Sequence, residues 1–296
     1  MELKNLYTFR TVAEELSFTN AAYKLNYSQS SVSDHIKALE NELNILLFER
    51  IGKHVILTEA GHRFLAEAEK IINQLEEIKE IVSGSEIPSG KLTIGAHESQ
   101  LTYRLINILR EFRSNYPNVQ LVFRPLISDE SIKVLLKQGV LDAAFLLGFP
   151  HTNPSEIIVE PLVEEQILIL SSVDHPLTRL AEITPGDFNN QTILTTEQGC
   201  SYRQMFEHLL NNNNVHTGIK IEFSSIEAIK QCVIAGLGIA VLPKITVAKE
   251  ISQHLIAVLP CEQLNYSILT QLAWHKDKWI SPSLKAFLEI ARNIKN

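Results

Sequence analysis

The stretch SQSSVSDHIKALENEL, residues 28–43, decides the fold of the first part of this chain. Its apolar residues recur in steps of four, three and four, which predicts a helix with one buried face. They are Val32, Ile36, Leu39 and Leu43. Ser28 is a good N-cap, and the serines that follow are small enough to leave the first backbone N–H groups accessible. Such a helix end can bind a phosphate through its amides and its dipole, so the stretch predicts a contact with nucleic acid.

Short elements flank this helix on both sides. Apolar residues at helical spacing predict a first helix before residue 17, and SFTNAAYKL predicts a second helix that Thr19 caps and Leu25 ends. After the third helix, LLFERIGKHVILT (46–58) contains two β-type runs about Gly52, which is typical of a wing hairpin. Three helices and a wing over residues 1–58 predict a winged helix-turn-helix domain whose third helix enters the major groove of DNA.

The polar face of the third helix supplies the candidate DNA contacts. Gln29 can offer its amide to adenine, and serine hydroxyls can reach base edges or phosphates. The predicted DNA-binding residues are Thr19, Ser28, Gln29, Ser30, Ser33, Lys37, Arg50 and Lys53. Residues 1–58 hold six Lys and Arg against seven Asp and Glu, a net charge of −1, so we expect a dimer to double the contacts. The alternative is that Ser28 is only a helix cap and Gln29 only a solvated residue.

A long helix is predicted from Thr58 to a linker at residues 83–90. Its apolar positions alternate steps of four and three, which is the a and d pattern of a coiled coil. The predicted dimerisation residues are Phe64, Ala68, Ile71, Leu75, Ile78 and Val82. Because nothing in residues 1–58 is expected to cover them, residues 59–87 are assigned to a dimerisation helix. The alternative is a helix that lies on the C-terminal part of its own chain.

Composition restricts the class of protein. The 296 residues are 45% hydrophobic with a formal charge of −7, which suits a soluble multidomain chain and confines any nucleic-acid surface to one region. The chain contains no apolar run of membrane-spanning length, and its polar start does not resemble a signal peptide, so we expect a cytoplasmic protein without a membrane partner. Cys200, Cys232 and Cys261 lack CxxC spacing, so we expect reduced thiols, no metal site and no cofactor.

The pattern of the sequence changes after residue 87. All eleven prolines lie at or beyond Pro88, and short β-type runs such as KLTIG (91–95) and GIAVLP (238–243) alternate with amphipathic helical segments. This alternation predicts βαβ units in mainly parallel sheets over residues 88–296. The predicted fold class is therefore α+β multidomain, with a helical N-terminal domain, a long linker helix and an α/β C-terminal domain.

The stretch FRTVAEELSFTNAAYKLNYSQSSVSDHIKALENELNILLFERIGKHVILTEAG (9–61) resembles the N-terminal signature of LysR-type transcriptional regulators. The motifs SFT-AA-L, SQ, VS, LE, LFER and LTEAG occur in order at the family's spacing, and the total length also fits. Two positions depart from the pattern. Asn44 stands where the family usually has Gly, and Asn tolerates the left-handed conformation that a helix end needs. Ser30 replaces the usual Pro after Gln29, which changes the surface offered to a base.

The resemblance implies a regulator that binds promoter DNA as a homodimer or homotetramer, acts on RNA polymerase and responds to a small metabolite. It also implies that residues 88–296 form a two-lobed effector-binding domain of periplasmic-binding-protein type. Lobe I is then expected over 90–162 and 268–296, and lobe II over 163–267. The effector would bind in the cleft between the lobes.

Two loops supply most of the candidate effector-binding residues. AHESQLTYR (96–104) follows the first strand, and TTEQGCSYRQMF (195–206) combines a strand end, a turn at Gly199 and a helix start at Ser201. Hydroxyls, a helix N-terminus and a guanidinium suit a small anion, so an anionic effector is expected. The predicted effector-binding residues are His97, Ser99, Gln100, Thr102, Thr195, Thr196, Ser201, Arg203 and Ser225. The alternative is an ordinary strand-to-helix turn with a capping serine and a surface arginine.

The sequence gives no catalytic signal. It lacks GxSxG, HExxH and P-loop motifs, so no catalytic residue is assigned and no enzyme is expected. Cys200 lies near a helix N-terminus, a setting that lowers the pKa of a thiol, and peroxide-sensing members of the family carry a reactive cysteine in a comparable loop. No second cysteine follows closely, so a buried or lining role is favoured. A redox-sensing regulator, or a solute-binding or enzymatic α/β protein with an accessory helical domain, are the alternative functions.

Overall fold

The computed structural model describes residues 1–52, 54–83, 87–125, 128–149, 156–264 and 267–294. It forms two compact units, Met1–Ser85 and Glu86–Asn296. Among these described residues, the first unit has one cluster of buried hydrophobic residues and the second has three. Within these described ranges, no helix is both long enough and apolar enough to cross a membrane.

The N-terminal unit is helical with one small hairpin. Its elements are α1 Leu3–Glu15, α2 Phe18–Leu25, α3 Gln29–Leu43, β1 Phe48–Ile51, β2 His54–Leu57 and α4 Glu59–Ser83. Strands β1 and β2 pair antiparallel, and Gly52 turns the chain between them with a φ of 64°. The predicted winged helix-turn-helix is confirmed.

The core of this unit packs α3 against α1 and α2. Val32, Ile36 and Leu39 are buried against Phe9, as the apolar stripe predicts. Leu43 was expected to belong to the same buried stripe, but it is 40% exposed. The reason is that α3 ends at this residue, so the stripe has no further turn to continue it.

The helix caps explain the boundaries of these elements. Asn44 ends α3 in the left-handed conformation with a φ of 52°, as the sequence predicts. Helix α2 is capped by Ser17, whose hydroxyl accepts a hydrogen bond from the Asn20 amide at 3.2 Å. The prediction that Thr19 caps this helix is wrong, because Thr19 lies inside its first turn.

The C-terminal unit alternates strands and helices. In chain order its elements are β3 Gly90–Ala96, α5 Ile106–Asn115, β4 Val119–Pro125, α6 Asp129–Lys137, β5 Ala143–Gly148, β6 Ile157–Ser172, β7 Ile193–Thr196, α7 Ser201–Asn212, β8 Lys220–Phe223, α8 Ile226–Ile234, β9 Ile239–Pro243, α9 Lys244–Ser252, β10 Ile256–Leu259, β11 Ser267–His275 and α10 Pro282–Ala291. A π-helical turn, Gln100–Arg104, precedes α5.

The strands of this unit follow the order β4-β3-β5-β11-β6-β9-β7-β8, with β10 also paired to β6. The first lobe contains β3, β4 and β5 in parallel, and β11 antiparallel to β5 and β6. The second lobe contains β7, β8 and β9 in parallel. Strand β6 belongs to both lobes, because its residues up to Gln166 pair with β11 and those from Ile167 onward pair with β9. The two-lobed α/β prediction is confirmed, and β6 carries the chain from the first lobe into the second.

Candidate DNA-recognition helix and effector cavity

The N-terminus of α3 is exposed and carries no full negative charge. Ser28 precedes the helix, and its Oγ accepts a hydrogen bond from the Ser31 amide at 3.1 Å. Ser28, Gln29 and Ser30 are exposed, and the first turn contains no acidic residue. The positive end of the helix dipole is therefore not neutralised by a carboxylate, and the free amides of the first turn can hold a phosphate oxygen.

The other predicted DNA-binding residues are spread over the same domain. Ser33 is half-buried and Lys37 is exposed, both on α3. Thr19 is exposed in α2, and Arg50 is exposed on β1. Lys53 lies outside the described residues. The structure therefore brings the α3 residues together on one helix and provides Arg50 from the wing.

Several basic residues of this domain are paired with carboxylates. Lys24 lies 2.9 Å from Glu15, and Lys4 lies 2.7 Å from Glu2. By contrast, Lys37 has no carboxylate partner among the described residues. The positive charge that is available for phosphate is thus concentrated on α3 and on the wing.

Helix α4 buries one end of its apolar seam in its own domain. Ala68 is 0% exposed in the core that α1 and α3 share, and Phe64 packs against the same core with its ring centroid 4.9 Å from that of Phe9. The expectation that residues 1–58 leave this seam uncovered is therefore wrong for these two residues. Further along, Ile78 and Val82 are 54% and 79% exposed. Ile71 is also exposed, and Leu75 is half-buried.

A cavity of about 250 Å³ lies between three loops of the C-terminal unit. The loops follow β3 in the first lobe and β7 and β8 in the second. The lining residues are His97, Glu98, Ser99, Pro125, Thr196, Glu197, Cys200, Tyr202, Phe223, Ser224 and Ile226. Two of them join the lobes directly, because the Glu98 carboxylate accepts a hydrogen bond from the Ile226 amide at 3.2 Å.

The structure does not bring all the predicted effector-binding residues together. His97, Ser99 and Thr196 line the cavity, and Ser225 lies beside it at the start of α8. Gln100 and Thr195 are buried, and Thr102 is exposed. Ser201 lines a larger, open groove of about 1040 Å³ between α6 and α7.

Arg203 makes contacts inside the second lobe. Its guanidinium pairs with Glu222 and, at 3.2 Å, with Glu207, and it also donates to the Thr196 carbonyl oxygen. Arg203 is not among the residues that line either cavity. These contacts neutralise the charge on which the prediction of an anion-binding arginine depends.

The Cys200 thiol is buried in the second lobe. Burial raises the pKa of this thiol, and hydrogen bonding only partly opposes the effect. The expectation that the helix N-terminus lowers this pKa is therefore wrong. Burial also raises the pKa of the neighbouring Tyr202. The three cysteines form no disulfide with one another.

Comparison with known families agrees with both units. Residues 3–62 match the bacterial regulatory helix-turn-helix proteins of the lysR family. Residues 85–294 match the LysR substrate binding domain. The chain belongs to the LysR family of transcriptional regulators.

Relatives of this LysR-type regulator are similar over their whole length. The HTH-type transcriptional regulator YwqM of Bacillus subtilis is 47% identical over 99% of each chain. GltR of Bacillus subtilis is 33% identical over 99% of this chain and 97% of its own. A full-length OxyR variant of Pseudomonas aeruginosa has a TM-score of 0.72 at 26% identity and covers 100% of this chain and 96% of its own. CbnR in complex with its target DNA has a TM-score of 0.69 at 21% identity, with both chains fully covered, which supports the fold alone.

The sequence did not predict seven of the residues that line this regulator's cavity, which are Glu98, Pro125, Glu197, Tyr202, Phe223, Ser224 and Ile226. Glu98 lies between two predicted residues, and Glu197 and Tyr202 lie inside the loop 195–206 that the sequence singled out. Phe223 ends β8. The position of Glu98, Glu197 and Tyr202 inside the two predicted loops was the available signal, but an anionic effector was expected there, and a carboxylate does not suit an anion.

Proposed function

We propose that this LysR-type regulator inserts α3 into the major groove of promoter DNA and that a small molecule in the cavity controls its activity. The observation that carries the proposal is the exposed start of α3 with its neutral serine cap. The amides of this turn suit a phosphate, and the side chain of Gln29 is exposed beside them for base contacts. Thr19, Ser30, Ser33, Lys37, Arg50 and Lys53 complete the proposed interface.

We further propose a dimer, or a tetramer of two dimers, assembled through α4. The exposed part of the apolar seam, which contains Ile71, Ile78 and Val82, supports a partner helix. Phe64 and Ala68 are left out of this proposal because their own domain covers them. A dimer doubles the phosphate contacts that one domain with few free cations can make.

The proposed effector site is the cavity between the lobes. A buried polar network beside it supports a hinge, since the Arg104 guanidinium contacts the Glu165 carboxylate at 2.6 and 2.8 Å and Thr270 donates to the same carboxylate at 2.8 Å. Gln100 donates to the Thr270 hydroxyl at 3.3 Å. Glu165 belongs to β6, the strand that both lobes share, so ligand binding in the cavity can bias how the lobes close.

The predicted anionic effector has little support in this cavity. Arg203 is paired, and the first amide of α8 donates to Glu98. The proposal therefore keeps a small-molecule effector without assigning it a negative charge. We also propose that the regulator acts in the cytoplasm on RNA polymerase and performs no catalysis. A redox function through Cys200 is not proposed, because the thiol is buried and its pKa is raised.

A mobility shift with the DNA upstream of the protein's own gene tests the DNA-binding proposal. The intact protein should form a specific complex, and Gln29→Ala should weaken it by about 10-fold or more, since one good bidentate base contact contributes roughly 1–3 kcal/mol. Gln253→Ala, an exposed glutamine at the end of α9, is the matched control. A protein that binds this DNA no better than an unrelated duplex would contradict the proposal.

A further inference from the structure

We propose that the cavity binds its effector through a protonated amino group held between Glu98 and Glu197. The ligand class is then a small amine or an amino acid. This inference rests on the proposed function, because it takes the cavity between the lobes as the effector site. It concerns the charge of the effector that this chain binds.

Two carboxylates, Glu98 and Glu197, line the cavity, and the imidazole of His97, which also lines it, contacts the Asp129 carboxylate at 2.8 Å. Glu98 accepts hydrogen bonds from the Ile226 amide at 3.2 and 3.3 Å, and its carboxylate has room for further donors because it offers about four lone-pair sites. Glu197 is half-buried and has no hydrogen bond or ion pair among the described residues. Two carboxylates without a cation form a local negative field that favours a cationic ligand.

Two cations of the second lobe are held by other carboxylates. Arg203 is held by Glu207 and Glu222 within the second lobe. Lys230 is buried and lies 2.7 Å from Glu250. No lysine or arginine is among the described residues that line the cavity. A ligand whose one charged group is a carboxylate would therefore meet two like charges, and such a juxtaposition strongly disfavours binding in a desolvated site.

An unsatisfied hydroxyl is an independent sign that a polar ligand binds here. Ser99 lines the cavity and is 3% exposed, yet its Oγ has no hydrogen-bond partner among the described residues. A buried hydroxyl normally finds a partner, since leaving it unpaired costs the free energy of its lost hydration. A ligand with a polar atom beside its amino group would provide the missing hydrogen bond. The apolar part of the ligand can pack against Phe223 and Pro125.

The same arrangement couples the ligand to the lobes. Glu98 belongs to the first lobe and Glu197 to the second. Without a cation the two carboxylates repel each other across the cavity, whereas a bound ammonium attracts both. A ligand that interacts with both lobes stabilises the arrangement in which they are close together. Binding would therefore shift the lobes toward closure.

Thermal melting of the full-length protein with matched probes tests the inference. The probes are pentylamine, 5-aminopentanoate, L-norvaline and pentanoate at equal concentrations, so that the amine, the two kinds of amino acid and the plain acid are compared on one carbon skeleton. We expect the melting temperature to rise with amine-bearing probes and not with pentanoate. The best probe identifies whether the source is an amine or an amino acid.

Isosteric variants then connect the effect to the two carboxylates. Glu98→Gln keeps an oxygen for the Ile226 amide, and Glu197→Gln keeps the volume of the side chain. Each should weaken binding of the best amine by about 10-fold or more in calorimetry, because each removes a hydrogen bond between two charged groups. Glu182→Gln, an exposed carboxylate outside the cavity, should change nothing.

Three results would overturn the inference: pentanoate stabilises the protein more than the amines do, none of the amines stabilises it, or both glutamine variants bind the amine as the wild type does. None of these results affects the mobility shift with promoter DNA, which tests the proposed function by itself. Conversely, amine binding that needs both carboxylates in a protein without specific DNA binding would leave this cavity assigned as an amine site and would refute the regulatory role.

Discussion

Helices α3 and α8 both follow a serine with extended backbone, but their first amides have different partners. At α3 the Ser28 hydroxyl accepts a hydrogen bond from the Ser31 amide at 3.1 Å, and the helix end stays exposed and uncharged. At α8 the corresponding residue, Ser225, makes no side-chain cap, and the Ile226 amide donates to the Glu98 carboxylate. A neutral cap leaves the positive end of the helix dipole able to attract an external anion, whereas a carboxylate already neutralises that positive end. The same backbone feature can therefore attract phosphate in one domain and disfavour an anion in the other.

The difference shows why a helix N-terminus alone does not predict a ligand. Whether the helix end favours an anion depends on the charge of the group that already accepts a hydrogen bond from its first backbone amides. In the N-terminal domain this group comes from the helix's own sequence, three residues before the amide it binds. In the C-terminal domain it comes from a loop 128 residues earlier in the chain. The following experiments test each half of this comparison.

The largest expected effect is that of salt concentration on the affinity of the N-terminal domain for DNA. Lys4, Arg10 and Lys24 lie within 4 Å of carboxylates, so Lys37, Arg50 and Lys53 are the candidates for phosphate contacts, which gives six in a dimer. Counterion release then predicts a slope of about −5 for log K against log salt, and a loss of about 10³ in affinity between roughly 50 and 200 mM salt. Fluorescence anisotropy with promoter DNA measures it. A slope of about −10 would require phosphate contacts from the cations that are paired with carboxylates in this domain. It would contradict the view that the exposed start of α3 and a few free cations bind the DNA.

A negative charge at the start of α3 should abolish the difference between the two helices. Ser28→Asp keeps a good N-cap, so the helix should stay folded, but the carboxylate neutralises the dipole and repels phosphate. We expect about a 100-fold loss of DNA affinity, since like charges in contact cost several kcal/mol. Ser281→Asp is the matched control, because Ser281 caps α10 in the other unit with the same hydroxyl-to-amide contact. Unchanged DNA affinity in Ser28→Asp would mean that phosphate does not reach this helix end.

The α3 half of the comparison could be predicted from the sequence because its determinants are local. The bounds of the helix follow from the apolar period together with Ser28 and Asn44, and all of them lie within one stretch of sequence. The hairpin follows from two short β-type runs about Gly52. The burial of Ala68 in its own domain was not predicted, because a heptad pattern indicates that a helix face is covered but does not indicate which partner covers it.

The cavity could be located from the sequence but its charge could not. The end of β3 at Ala96 and the end of β7 at Thr196 lie in the two loops that the sequence singled out. Pairing of Arg203 with Glu222 and of Glu98 with Ile226 depends on strands and loops that are distant in sequence, so no local pattern reveals it. The pairing of β11 with β5 and β6 also has no local signal, because these strands lie about a hundred residues or more earlier.

Removing the Glu98 carboxylate that accepts a hydrogen bond at the N-terminus of α8 should make this helix end resemble that of α3. Glu98→Ala exposes the Ile226 amide, and we expect affinity for inorganic sulfate to rise roughly two- to ten-fold, because an anion at a helix N-terminus gains about 0.3–1 kcal/mol and up to about 2 in partly buried sites. The measurement is the melting temperature as a function of sulfate at constant ionic strength, with Glu182→Ala as control. A variant that responds to sulfate as the wild type does would show that Glu98 is not what excludes anions.

The smallest expected effect is a difference in amide hydrogen exchange between alanine variants of the two serines that precede α3 and α8. Ser28→Ala removes the acceptor of the Ser31 amide, and an N-cap contributes about 1 kcal/mol, so hydrogen exchange of that amide should accelerate about five-fold. Ser225→Ala should leave exchange in the first turn of α8 unchanged, because its hydroxyl caps nothing there and Glu98 remains. Mass spectrometry of peptides covering the two turns measures both. Equal acceleration at the two sites would mean that Glu98 does not hold the α8 amide in solution, and the proposed difference in anion preference would lose its structural cause.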